Sequence, residues 1–264
     1  MIRFGLKTLA VNTASIAEYE VDMKKKTKIV LAMCFTVLLV IGIGTYAYVS
    51  DYYHADETAV EAMAMTTDGV KIEQDGDVIW FVPENPTVGL IFYPGGKVEY
   101  TAYTPLMRAC AEQGISCALV QMPGNLAVLD ADAADGLQQV HPEITTWYIA
   151  GHSLGGAMAA NYAEAHHTDF DGLILLAAYS TKDLTQTTLR VLSVYGSEDE
   201  VMNREAYEKN RGNFPTGTTE LVLDGGCHAQ FGSYGPQDGD GIPTISGEEQ
   251  IQQTADAISA FIGQ

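Results

Sequence analysis

A serine lies between glycines in the stretch Gly151-His152-Ser153-Leu154-Gly155-Gly156. The stretch follows an apolar run at 147–150 and precedes small residues at 157–160, where a predicted strand gives way to a predicted helix. At such a junction a serine sits on a strained turn that exposes its hydroxyl above the sheet, and the flanking glycines avoid side-chain clashes. The pattern predicts that Ser153 is a nucleophile for carbonyl carbons. The alternative, a turn softened by glycine, does not explain why serine occupies the apex.

A serine nucleophile needs a base, and the base needs an acid that orients it. Asp199 follows the apolar run at 189–195, and His228 follows the run at 220–223. We predict that these two residues complete a triad in the order Ser153, Asp199, His228, which is a known chain order for triads. The acid should reach the histidine from the loop of the preceding strand, which favours Asp199 over its rivals. The weaker candidates are the acids Glu198, Glu200 and Asp224 and the histidines His54, His141, His152, His166 and His167.

An oxyanion that forms during the attack needs preorganised N–H donors. One predicted donor is the backbone N–H of Leu154, the residue after the nucleophile. The other should come from the loop Pro94-Gly95-Gly96-Lys97, where glycine lets the backbone approach a substrate. Sequence leaves the choice between Gly96 and Lys97 open. The Lys97 side chain has two candidate roles, attraction of an anionic substrate group or simple solvation.

The elements that must position these residues alternate along the chain. Predicted strands cover 78–82, 88–93, 116–120, 147–150, 173–178, 189–195 and 220–223. Predicted helices cover about 58–65, 103–113, 132–140, the segment after Leu154, 203–210 and 246–261. This order predicts an α/β fold, a mainly parallel doubly wound sheet with helices on both faces, whose reactive groups gather at the carboxyl ends of the strands. Only a short polar link separates 178 from 189, so a cap domain is minimal or absent and the site is fairly open.

From about Val78 to Ile262 the chain resembles the α/β-hydrolase fold superfamily, and within it a group of small bacterial membrane-anchored members related to dienelactone hydrolases. The resemblance rests on Tyr93-Pro94-Gly95-Gly96-Lys97-Val98, on Gly151 to Ala159, and on Gly225-Gly226-Cys227-His228-Ala229-Gln230-Phe231-Gly232 with its continuation to Gly241. It implies the hydrolase fold and a serine hydrolase activity. Dienelactone hydrolases proper use a cysteine nucleophile, whereas this chain has Ser153, so lactone specificity is not carried over.

Charge and hydropathy divide the chain unevenly. The formal net charge is −20, and nearly all the acids lie after residue 50, which excludes a surface suited to nucleic acid. The apolar stretch 29–49 is long enough to cross a bilayer, and a lysine cluster at 24–28 precedes it. The positive-inside rule then places the N-terminus in the cytoplasm and the acidic part outside the cell membrane. A cleaved signal peptide is the alternative, although its apolar region is usually shorter.

These features predict three regions: a cytoplasmic segment 1–28, a single-pass anchor 29–49 and an extracytoplasmic hydrolase domain 50–264. Codons for Glu20-Val21-Asp22 are compatible with a ribosome-binding site ahead of Met23. Translation is therefore hypothesised to start at Met23.

No cofactor or metal ion is predicted. Cys110 and Cys117 have a spacing that allows either a disulfide or packing as free thiols, and packing is favoured. No Cys or His cluster has zinc spacing, and Asp238-Gly239-Asp240-Gly241 lacks the remaining ligands of a calcium loop.

The sequence thus predicts a membrane-anchored serine hydrolase that cleaves an ester-like bond in a small-molecule acyl substrate through an acyl-enzyme. An acyltransferase or a peptidase would use the same triad. A binding protein that kept the fold without turnover is a further alternative. Substrate identity and oligomeric state are left open.

Overall fold

The computed structural model describes residues 2–65 and 69–263, with side chains described for residue 16 and from residue 18 onward. The chain divides into two compact units, Met1–Asp51 and Tyr52–Gln264. The first unit is helix α1 (Ile2–Ser50). Its part from Glu18 to Ser50 is long and apolar enough to cross a membrane, as either a single-pass anchor or a signal sequence does.

The second unit alternates strands and helices. Its strands are β1 (Val70–Asp75), β2 (Val78–Pro83), β3 (Val88–Tyr93), β4 (Ile115–Val120), β5 (Thr146–His152), β6 (Gly172–Leu176), β7 (Arg190–Gly196) and β8 (Thr219–Leu223). Its helices are α2 (Glu57–Ala64), α3 (Thr104–Glu112), α4 (Leu154–Ala165), α5 (Arg204–Asn210) and α6 (Gly247–Ile262). These bounds confirm every predicted strand and all but one of the predicted helices.

The strands form one sheet in the order β1-β2-β4-β3-β5-β6-β7-β8. The pairs β1–β2 and β2–β4 are antiparallel, and all the others are parallel. The loops that follow β3, β5, β7 and β8 therefore leave the same edge of the sheet. This is the edge at which the predicted reactive residues were expected to meet.

Alternate residues of each central strand enter two separate apolar cores. Leu90 and Phe92 of β3 pack with α3 and α6 on one face, whereas Ile91 and Tyr93 pack with α4 and α5 on the other. Burial on both faces explains why these strands are continuous apolar runs rather than alternating ones. The predicted doubly wound α/β fold is confirmed.

The helix predicted at 132–140 is wrong. This segment consists of turns and a single 3₁₀ turn at Leu137–Gln139, preceded by Gly136 in the left-handed region with φ 77°. The Tyr93 hydroxyl donates to the carbonyl of Ala131 at 3.0 Å and accepts the N–H of Ala134 at 2.8 Å. The first of these bonds occupies the Ala131 carbonyl, which would accept the N–H of Asp135 in a helix that begins at residue 132.

The sequence analysis missed strand β1, although Val70-Lys71-Ile72-Glu73 alternates apolar and charged residues ahead of a turn at Gly76.

Cys110 and Cys117 are both buried as free thiols, and burial raises the pKa of Cys117 well above its usual value.

Candidate active site

Ser153 lies at a sharp turn between β5 and α4. Its backbone has φ 51° and ψ −120°, a region that costs a non-glycine residue free energy. A Cβ atom at Gly151 would lie 2.5 Å from the backbone of Gly155, and one at Gly155 would lie 2.2 Å from the Pro94 carbonyl oxygen. Only glycine fits these two positions, and the partly exposed Ser153 is left at the apex.

His228 and Asp199 form a buried pair beyond the ends of β8 and β7. His228 Nδ1 and Asp199 Oδ2 are 3.0 Å apart, and both side chains are almost completely buried. The second carboxylate oxygen, Oδ1, accepts the backbone N–H groups of Val201 at 3.0 Å and Met202 at 2.8 Å. The Asp199 side chain is thereby fixed in one orientation, and it orients the imidazole in turn.

The rival acids and histidines make other contacts. Glu198 accepts the hydroxyl of Ser197 at 2.9 Å, and Asp224 and Glu200 are exposed. Two of the rival histidines are paired with other acids. His54 lies 3.3 Å from Glu99, and His141 lies 3.0 Å from Glu143. Of the candidate acids that the sequence offered, only Asp199 is paired with the His228 imidazole in the described part of the chain.

The turn that carries Ser153, the elbow, meets the loop that carries His228, the His228 loop, through His152. The ring centroids of His152 and His228 are 4.5 Å apart, and His152 directly precedes Ser153. Nε2 of His228 is buried and has no hydrogen-bond partner in the described part of the chain, so no hydrogen bond joins it to Ser153 in this structure. Catalytic serine–histidine contacts often tighten only when substrate binds. Nε2 is the nitrogen that remains to accept a proton.

The two loops predicted to bind an oxyanion are adjacent. A Cβ atom at Gly96 would lie 2.8 Å from Leu154 Cδ2, and Leu154 is the first residue of α4. The backbone N–H of Lys97 donates to the Asn125 carbonyl at 2.7 Å, and that of Gly95 donates to the Tyr103 hydroxyl at 3.0 Å. Of the two donors left open by the sequence, this geometry favours Gly96, because the N–H of Lys97 is already engaged.

The start of the second unit is tied to this same loop. The N–H of Tyr53 donates to the Lys97 carbonyl at 2.8 Å, and the N–H of Glu99 donates to the Tyr53 carbonyl at 2.8 Å. The N–H of Asp56 donates to the Ser233 carbonyl at 2.9 Å. The segment 52–56 thus buttresses the Gly95–Lys97 loop from outside the sheet.

A buried Tyr103–His152 contact supports the loop from inside. The Tyr103 hydroxyl accepts the Gly95 N–H and is also hydrogen-bonded to Nδ1 of His152 at 2.7 Å. Burial, with the nearby His228 charge, lowers the pKa of His152 well below its ordinary value. The sequence suggested that His152 packs or shapes the turn, but nothing in it indicated Tyr103 as the partner.

In the described ranges, no group of three or more His, Cys, Asp or Glu side chains is arranged so that it could hold a metal ion. Cys227, next to His228, is buried, and burial raises the pKa of its thiol to about 12.

A cavity of about 790 Å³ lies behind the His228 loop and is lined by residues such as Arg108, Ala229 and Glu248. Neither Ser153 nor His228 lines this cavity.

Comparison with known proteins agrees with this fold. The model of the alpha/beta hydrolase family matches residues 89–252. Est1E from Butyrivibrio proteoclasticus is 15% identical with a TM-score of 0.53, over 75% of this chain and 100% of that one. A dienelactone hydrolase from Anabaena variabilis is 12% identical with a TM-score of 0.55, over 74% and 98%. A novel esterase from Mycobacterium tuberculosis is 12% identical with a TM-score of 0.54, over 79% and 96%. No curated protein sequence matches the chain.

Proposed function

Because the chain belongs to the alpha/beta hydrolase family, we propose that it is a serine hydrolase that cleaves ester-like bonds through Ser153, His228 and Asp199. The observation that carries the proposal is the buried His228–Asp199 pair at the sheet edge where Ser153 occupies a strained elbow. Solved structures of similar fold include esterases, which supports hydrolase activity. Membership alone would not specify a reaction, so the proposal depends on the site.

In the proposed reaction, Ser153 Oγ attacks the carbonyl carbon of the ester while Nε2 of His228 accepts the hydroxyl proton. Asp199 holds the Nδ1–H of the imidazolium, and the backbone N–H groups of Leu154 and Gly96 stabilise the oxyanion. Collapse of the tetrahedral intermediate breaks the ester C–O bond, and His228 returns the proton to the leaving alkoxide. Water, deprotonated by His228, then hydrolyses the acyl-enzyme and restores the Ser153 hydroxyl.

The substrate we propose is a small or surface-accessible acyl compound, because only residues 177–189 link β6 to β7 and they leave no room for a cap domain. Acyl transfer would use the same residues and would need an acceptor that outcompetes water. A peptidase would need the same proton delivery to an amine. No observation in the site favours either alternative over ester hydrolysis.

We also propose that residues 29–49 anchor the chain in the cell membrane, with residues 1–28 in the cytoplasm and the hydrolase domain, 50–264, outside. The lysines at 24–28 and the long apolar helix support this orientation. Protease added to intact cells should then degrade the hydrolase domain and leave the N-terminal segment. An intact mass that begins at Met23 would support translation from that residue.

The test of the catalytic proposal uses the full chain in detergent, a fluorophosphonate probe and p-nitrophenyl acetate. We expect the wild type to be labelled and active and Ser153→Ala to be neither. Ser259→Ala, a change on the partly exposed side of α6, is the matched control and should keep both properties. If the folded wild type takes no label, the catalytic proposal fails and the alternative, a non-catalytic binding protein, is favoured.

A further inference from the structure

Three consecutive backbone N–H groups around His228 are held by side chains from elsewhere in the chain. The N–H of Cys227 donates to Gln250 Oε1 at 2.9 Å. The N–H of His228 donates to Asp240 Oδ1 at 3.2 Å, and that of Ala229 donates to Asp240 Oδ2 at 2.8 Å. This backbone belongs to no strand, so its buried N–H groups would otherwise lack partners.

The Asp240 segment also contacts the loop that carries the acid. Asp240 Oδ1 accepts the N–H of Glu200, the residue after Asp199, in a longer contact of 3.4 Å. A Cβ atom at Gly241 would lie only 1.9 Å from the Glu198 carbonyl oxygen, so the segment packs directly on this loop. One carboxylate therefore bridges the loops of Asp199 and His228.

Gln250 fixes the His228 loop from the opposite side. Besides accepting the N–H of Cys227, its amide donates from Nε2 to the Cys227 carbonyl at 2.8 Å. The Gln250 side chain is fully buried on α6, so a rigid helix determines the position of the Cys227 backbone. A Cβ atom at Gly226 would lie 2.8 Å from Gln250 Oε1, which shows how closely the loop approaches the amide.

We propose that Asp240, together with Gln250, is a positioning residue that sets the placement of His228 against Asp199. The inference rests on the proposed function, in which His228 is the base. It also gives Asp238-Gly239-Asp240-Gly241 a role unrelated to calcium, because both oxygens of Asp240 face backbone N–H groups. Neither Asp240 nor Gln250 needs to touch the substrate for this role.

The replacement Asp240→Asn is expected to disturb this arrangement in two ways. An amide has one acceptor oxygen instead of two, so the His228 or the Ala229 N–H loses its partner. The change also removes a negative charge from the neighbourhood of His228, whose other described titratable contacts are Asp199 and His152. We expect kcat to fall about 10²-fold with KM unchanged, as for a catalytic group that is misplaced by about 1 Å. The acidic limb of kcat/KM should move to lower pH, since an imidazolium loses stabilisation.

The experiment measures pH profiles of p-nitrophenyl acetate hydrolysis for the full chain in detergent. Asp238→Asn is the matched control, because it makes the same charge change two residues away at an exposed side chain. Asp240→Glu, which keeps two acceptor oxygens, should recover most of the lost kcat. The proposal is overturned if Asp240→Asn matches Asp238→Asn in kcat and in its acidic limb, or if Asp240→Glu is as impaired as Asp240→Asn.

A spectroscopic readout separates this inference from the proposed function. The proton shared by His228 Nδ1 and Asp199 should give a far-downfield NMR resonance in the wild type and exchange faster in Asp240→Asn. Should the wild type hydrolyse no ester, the proposed function fails, and the resonance still decides whether Asp240 positions His228. An unchanged resonance in Asp240→Asn argues against the inference even if turnover is found.

If Asp240→Asn does not fold, the variant Gln250→Met tests the same proposal, because Gln250 holds the backbone of Cys227 on the opposite side of the His228 loop. We expect kcat to fall about tenfold at unchanged KM, with faster exchange of the same proton. Gln252→Met, at an exposed position of the same helix, should behave as the wild type. Equal kcat in the two methionine variants would overturn the proposal.

Discussion

Replacement of Asp199 by asparagine tests how the buried pair works, because the surrounding N–H groups dictate how the amide must sit. Two backbone donors, from Val201 and Met202, face Oδ1, and His228 faces Oδ2. The amide oxygen of an asparagine must take the Oδ1 position, since an NH₂ group there would face two donors. The NH₂ group then points at Nδ1 of His228, so Nδ1 becomes the acceptor. The ring proton moves to Nε2, and His228 can no longer accept a proton from Ser153.

The magnitude follows from the cost of the opposite orientation. With the amide reversed, two buried N–H groups would lose their partners at about 1–3 kcal/mol each. Even the lower limit, about 2 kcal/mol in total, favours the inactive tautomer by about 30-fold. The upper limit, about 6 kcal/mol in total, corresponds to a preference of about 10⁴-fold. We expect Asp199→Asn to lower kcat by about 10⁴-fold, which is also the loss that this exchange causes in a serine protease triad.

The assay is the kcat of p-nitrophenyl acetate hydrolysis at neutral pH, with the folded fraction checked by thermal melting. Asp224→Asn, an exposed rival acid ahead of the same histidine, is the control and should remain within a factor of two or so of the wild type. A kcat for Asp199→Asn within tenfold of the wild type would refute the tautomer argument. An equal loss in the two variants would refute the assignment of the acid.

Three further predictions concern stability. The fold lowers the pKa of His152, whereas in the unfolded chain this histidine is protonated near pH 6.5. The contribution of neutral His152 to the free energy of unfolding should therefore be fully present above pH 6.5 and be lost as the pH falls below it. The melting temperature of His152→Asn should depend less on pH between 7 and 5 than that of the wild type. Gly155→Ala should unfold or lose all activity, because its Cβ would lie 2.2 Å from the Pro94 carbonyl oxygen, and circular dichroism distinguishes the two results. Ser153→Gly should melt at a higher temperature than Ser153→Ala, because glycine relieves the strain of φ 51°, about 1 kcal/mol or more; equal melting temperatures would show an unstrained turn.

Much of the fold was predictable because its signals are local. Apolar runs ended by glycine or proline marked the central strands, and the elbow sequence placed Ser153 at a strand-to-helix junction that the structure contains. The position of His228 opposite Asp199 also followed, since both come after neighbouring parallel strands. The catalytic roles of these residues stay predictions until they are measured.

What sequence could not supply depends on groups far apart along the chain. The Tyr93 hydroxyl bonds to backbone groups about forty residues away, at the start of the segment expected to be a helix at 132–140, and no local pattern reports this contact. The same holds for Tyr103, Asp240 and Gln250, whose contacts with the site exist only after the sheet has assembled. No pattern near His228 indicated which side chains hold its backbone in place.

If residues 29–49 anchor the chain as proposed, the bond between the Tyr53 N–H and the Lys97 carbonyl bears on how the proposed hydrolase domain is released from the membrane. A sheddase or signal peptidase that cuts before Tyr52 would leave the reactive loop intact and yield a diffusible hydrolase. A cut after Asp56 would remove the whole buttress, including the contacts to Glu99 and Ser233, and would loosen the oxyanion donors. Proteolytic release could therefore act as either a liberating or an inactivating event, and a shift of only a few residues in the cleavage site separates the two.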